Sequence, residues 1–245
     1  MVPLRREKGV LAATIGILSS AILAPTASGR DAVPEARGPE VHGTHVSCSS
    51  LPNCYAVGRT SGFIADGAAA RFDVRSYTAP DWQHDGHTNH ALWVYVESSL
   101  EFCEIGWTKA YHGDASYRHY GAYAVNGEYL DFPIDFPVGS SGTTHHYQIH
   151  REYDGKYNLY IDNNDVQDCF ANPFTLLVET GLEYTSPSAV APVNDPRDLQ
   201  WRRATDFAWF DWGSLSTSVT SLVYGSAARW NWEVYPTHGE DWTTN

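Results

Sequence analysis

Two alternating runs joined by a two-residue turn set the class of this chain. THHYQIHREY (144–153) and KYNLYID (156–162) place apolar residues at alternate positions, with Asp154-Gly155 between them. An Asp-Gly pair between alternating runs is a strong local hairpin signal. The pattern recurs along the chain. ALWVYVE (91–97) and EFCEIGWTKAY (101–111) are separated by a short Ser-Ser-Leu link, and SYRHYGAYAV (116–125) ends at Asn126-Gly127. FTLLVETGLEYTS (174–186) and FAWFDWGSLST (207–217) follow. No run holds a helical period beyond two turns. With 15 Tyr, 9 Trp and 1 Met, the composition favours pleated strands over a helical bundle. A chain of 245 residues built this way predicts an all-β protein, a two-sheet antiparallel β-sandwich of concanavalin-like jelly-roll type.

The ends differ from the middle. MVPLRREKG is basic, VLAATIGILSSAILAP is apolar but too short for a stable membrane span, and TASG offers small residues for cleavage. Residues 1–29 read as a signal peptide of a secreted, extracellular protein. Residues 30–55, rich in Pro and Gly, read as a flexible leader with a local disulfide, and residues 56–245 as the sandwich domain. A net charge of −13 argues against nucleic acid and anionic membranes as partners.

Four cysteines in a secreted chain imply two disulfides. Three pairings are open. The expected one joins Cys48 to Cys54 in a small loop and Cys103 to Cys169 across the fold.

Period-two alternation then sorts the strand FCEIGW. Phe102, Glu104 and Gly106 share one face; Cys103, Ile105 and Trp107 share the other. If Cys103 staples the core, Glu104 points to the outer face of its sheet, which in a curved sandwich is a groove. Glu183 in TGLEYTS is the second glutamate among small and apolar strand residues. Glu97, Glu101 and Glu179 read as solvated.

FCEIGWTKAYHGDASYRHYGAYA resembles the segment of neprosin-type peptidases in which a catalytic glutamate precedes Gly-Trp. TGLEYTS resembles that family's second glutamate motif, and FAWFDWGSLSTS a strand of the related eqolisin peptidases. The resemblance spans about residues 88–218 in three patches. It implies a glutamic endopeptidase acting in acid without a cofactor, on an extracellular protein or peptide substrate, as a monomer. In that implied mechanism Glu183 is the base and Glu104 its partner. Two nearby carboxyls hold one proton between them over a range of acid pH, so one can act as acid and the other as base. Trp93, Tyr95, Trp107 and Tyr123 are the aromatic candidates for substrate contact. A jelly-roll glycoside hydrolase with two catalytic glutamates, or a non-catalytic carbohydrate-binding sandwich, would use the same features.

Other patterns point to no chemistry. His84, His87 and His90 read as a polar loop, and no metal site is expected. Asp162, Asn164 and Asp168 mimic a calcium loop, but Gln167 stands where the loop needs Gly. His146 and His150 read as surface, and Trp230 and Trp232 as packing. Serine-nucleophile and dinucleotide motifs are missing.

Overall fold

A computed structural model describes residues 41–42, 53–84, 86–96, 101–125, 128–171 and 175–244. Residues 1–29, read as a signal peptide, most of the stretch read as leader, Cys48, Glu97 and Asn126-Gly127 lie outside them. The first eight strands are β1 (Val41–His42), β2 (Cys54–Asp73), β3 (Thr88–Val96), β4 (Phe102–Tyr111), β5 (Asp114–Val125), β6 (Glu128–Ile134), β7 (Thr144–Arg151) and β8 (Lys156–Ile161). The rest are β9 (Asn164–Ala171), β10 (Thr175–Tyr184), β11 (Arg197–Arg203), β12 (Trp209–Asp211), β13 (Ser218–Tyr224), β14 (Ala228–Val234) and β15 (His238–Thr243).

Strand β2 organises the molecule. Over 54–61 it lies between β10 and β13; over 65–73 its neighbours are β11 and β7. The change falls at Gly62, whose φ of 88° is open to glycine without strain. One strand thus belongs to two sheets. The first runs β13-β2-β10-β3-β4-β5-β6, and the second β9-β8-β7-β2-β11, continued by β12, β15, β14 and β1. All pairs are antiparallel. The sheets stack with β4 over β7 and β8, and β5 over β9. The sandwich expected from the alternation is the fold observed, although β2 takes in Cys54 and Tyr55 from the stretch read as leader.

The core lies between the sheets. Leu92, Val94, Cys103, Ile105, Val178 and Leu182 project into it from the first sheet, each buried. Cys103 on β4 is bonded to Cys169 on β9, with Cα atoms 6.2 Å apart, so the bridge staples one sheet to the other. Cys54 is also disulfide-bonded. A second, smaller apolar cluster of Val57, Ala91, Trp93, Tyr120 and Ala122 covers the opposite face of the first sheet. That face carries the groove.

Two aromatic candidates fall on the wrong side of β4 and β5 for substrate contact. Trp107 is fully buried in the core, where its indole N–H donates to the Asp73 carbonyl at 3.1 Å. Tyr123 stands opposite Cys103 and packs against the same core. Strand parity decides both, since Trp107 shares the Cys103 face.

Candidate active site

The cross-strand register of the first sheet places three carboxylates on its groove face. Glu183 on β10 is opposite Asn89 of β3 and Tyr55 of β2. Glu104 on β4 is opposite Trp93 of β3. Glu179 on β10 is opposite Trp93 from the other side, and opposite Arg59 on β2. Between the level of Glu183 and that of Glu104 runs a row of small residues, Gly106, Ala91, Gly181 and Val57. Gly181 has φ of 146°, and a Cβ there would lie 2.3 Å from the Ala56 carbonyl oxygen, so only glycine fits between the two β10 glutamates.

A cavity of about 520 Å³ opens beside Glu104 and Glu183. Glu104, Glu183, Trp93, Tyr95 and Tyr120 line it, with Phe102 and Tyr129 at one end and Asn53 and His87 at the other. Its size and its aromatic walls are those of a small-molecule or peptide site, and its lining is richer in polar and charged groups than most. At the rim His112 pairs with Asp131 at 2.9 Å.

The two predicted glutamates meet in this cavity through two intermediaries. Tyr120 donates its hydroxyl proton to Oε1 of Glu104 in a short bond. Asn89 donates to the Tyr120 oxygen and to Oε2 of Glu183, both at 2.8 Å. Asn53 donates a short bond to Oε1 of Glu183. The buried Asn89 carbonyl oxygen has no donor among the described residues, which leaves an acceptor in the site.

The environments of the two carboxyls differ. Burial first, and then the charge of Glu183, push Glu104 well above the usual carboxylate range, against hydrogen bonds from Tyr120 and Trp93. Burial pushes Glu183 up as well, but His87, Tyr55 and Asn53 outweigh it and leave Glu183 below the usual value. The pair is therefore asymmetric: burial and the neighbouring charge shift Glu104 upward, and the surrounding donors shift Glu183 downward. Such a pair offers an acid and a base within one site.

Glu179 corrects the sequence reading. It is 4% exposed rather than solvated. Arg59 binds it in a short ion pair and Tyr95 in a hydrogen bond, while burial holds it above the ordinary range. Its partner lies 120 residues upstream, beyond the reach of any local pattern.

The loop histidines part company. His84 is exposed and His87 faces the groove. His90 is buried against Asp241 at 2.6 Å. They form no common ligand set. Elsewhere, Asp195, Glu233 and His238 bring one ligand atom each within 4.8 Å of one another. Their polar atoms already bond among themselves and to Arg197. Asn53 and Asn89 escape the sequence reading because both sit outside the alternating runs, although Asn89 belongs to β3, and His87 reads only as part of a polar loop.

By sequence the chain matches no protein-family model and no characterised protein. By fold it is similar to solved glutamic peptidases. Scytalido-glutamic peptidase, solved with a peptide-based transition-state analogue, aligns over 79% of this chain and 99% of its own with a TM-score of 0.55 and 10% identity. SCP-B, an eqolisin peptidase in complex with the tripeptide Ala-Ile-His, aligns over the same shares with a TM-score of 0.50 and 12% identity. The chain has the fold of these peptidases.

Proposed function

We propose that the protein is a secreted glutamic endopeptidase that works in acid, as a monomer and without a cofactor, on protein or peptide substrates. The asymmetry of Glu104 and Glu183 carries this reading. The Glu183 carboxylate takes a proton from a water molecule as the water oxygen attacks the scissile carbonyl carbon. Protonated Glu104 donates to the carbonyl oxygen, which becomes a hydroxyl in the tetrahedral intermediate. Collapse returns that proton to Glu104, breaks the C–N bond and passes the proton held by Glu183 to the leaving amine. The aromatic wall of Trp93, Tyr95 and Phe102 suits an apolar side chain. The fold shared with peptidases that bind peptide-based ligands supports the substrate class.

The register offers one competing assignment of the base: Glu179 flanks Trp93 directly opposite Glu104, although Arg59 holds it and it does not line the cavity. One experiment separates the two. Glu104→Gln, Glu183→Gln and Glu179→Gln proteins are assayed on unfolded casein in acid, beside a polysaccharide plate. General acid–base groups contribute on the order of 100- to 10,000-fold, so the first two variants lose at least about 100-fold. Loss in Glu179→Gln with activity kept in Glu183→Gln moves the base to Glu179. Parent-level casein cleavage by all three sinks the peptidase reading, and clearing of polysaccharide replaces it with a glycosidase.

A further inference from the structure

The end of the groove nearest Glu183 contains one more ionisable side chain. The His87 imidazole Nε2 stands 3.8 Å from Oε2 of Glu183, a distance for an ionic contact rather than a hydrogen bond. The contact is built on a clamped backbone. His87 N–H donates to Thr185 Oγ1 at 2.9 Å, and Thr185 N–H donates back to the His87 carbonyl at 3.1 Å. Thr185 lies two residues beyond Glu183, so the entry to β3 is tied to the exit of β10. The carboxylate side chain is 9% exposed and the imidazole 30%, which leaves the histidine open to protons from solvent and the glutamate shielded.

The groups facing Glu183 come from every strand around it. The segment entering β2 and β2 itself supply Asn53 and Tyr55, β3 supplies Asn89, β5 Tyr120 and β4 Glu104. Asn53, Tyr55, Asn89 and Tyr120 are neutral in acid, and Glu104 brings only negative charge or none. His87 is the cation in this set.

We propose that His87 is a positioning residue for the base: its imidazolium keeps the Glu183 carboxylate ionised in acid, so the proton stays on Glu104 and the division of roles survives at low pH. This rests on the peptidase reading for its purpose, but the electrostatic coupling stands apart from it. The lowered affinity of Glu183 for protons agrees with the geometry. An opposite charge at this range displaces a carboxyl titration by roughly one to three units.

The test is an NMR titration of the full chain carrying ¹³C-labelled glutamate, with the Glu183 resonance assigned by its loss in Glu183→Gln. In the unmodified protein that resonance shows a second inflection at the His87 midpoint. In His87→Gln its main midpoint rises by about one unit or more, and His87→Lys restores it. An unmoved midpoint, or no second inflection in the parent, overturns the inference. The parent measurement decides even where a variant fails to fold. On casein, the acid limb of the rate profile rises with the same midpoint in His87→Gln, about tenfold in rate per unit. A loss of equal size at every pH marks a merely structural role and overturns the inference too. Absence of peptidase activity in the parent removes the Proposed function but leaves the NMR result to stand or fall alone.

Discussion

Asn89 and Glu183 stand directly opposite each other on β3 and β10, and the Asn89 carboxamide divides its two protons between the Glu183 carboxylate and the Tyr120 hydroxyl. Through that one amide Glu183, the proposed base, is tied to the hydroxyl that binds Glu104, the proposed acid. Asn89→Ala removes both donors. A hydrogen bond to a charged group is worth about 1.5–3 kcal/mol. The variant is expected to lose roughly 10- to 100-fold in kcat/KM on casein with its far-UV circular dichroism intact. An unchanged kcat/KM would remove Asn89 from the machinery.

Tyr120→Phe tests the other half of that link. The Tyr120 hydroxyl favours the ionised form of Glu104, in opposition to burial. Its removal makes Glu104 a weaker acid still. Glu104 must be protonated to act, so the alkaline limb of the pH–rate profile moves upward. A downward shift would contradict the assignment of Glu104 as the acid.

His119 makes the fold sensitive to acid. It is fully buried on β5, accepts from the Tyr147 hydroxyl at 3.1 Å and lies edge-on to His145, with ring centroids 4.8 Å apart. Burial, and then His145, lower its pKa from 6.5 to about 4. The unfolded chain therefore binds the proton first as pH falls. Stability from this site is full above about 6.5, declines between about 6.5 and 4, and is gone below, a loss of about 3 kcal/mol at about 1.4 kcal/mol per unit. Urea denaturation at both ends of that window checks it. His119→Gln should flatten the dependence, and an equally steep decline in the variant would assign the effect elsewhere.

The staple between sheets is open to direct measurement. Cys103 and Cys169 close a loop with a sequence separation of 66 residues. Loop-closure entropy for that length corresponds to about 4 kcal/mol. Replacing both by serine should lower the urea midpoint accordingly, and a change under about 1 kcal/mol would show that the denatured chain is already compact.

Much of this architecture was written in local pattern. Alternation named the strands that carry the site, β3, β4, β5 and β10, and strand parity separated Cys103 from Glu104 and assigned one to the core and the other to the groove. The same parity put Trp107 on the core side, and its choice as a substrate platform set aromatic character above position. Tyr123 went the same way because its partner, Cys103, lies on another strand. Non-local pairing stayed hidden. Nothing near Glu179 announces Arg59, and nothing in residues 54–73 alternates, because β2 is covered on both faces along much of its length. His87 and Asn53 approach Glu183 from irregular segments whose paths depend on the assembled sheets.

The passage of β2 from one sheet into the other has a further consequence for how the molecule survives. Opening the groove sheet alone would strip β10 and β13 from a strand whose other half anchors β7 and β11. Local opening of the groove along β2 is thereby coupled to the pairing of the second sheet, which makes it costlier than fraying of an edge strand. For a molecule proposed to cut unfolded polypeptides, that coupling shields the strands of a neighbouring copy, which are harder to expose one sheet at a time.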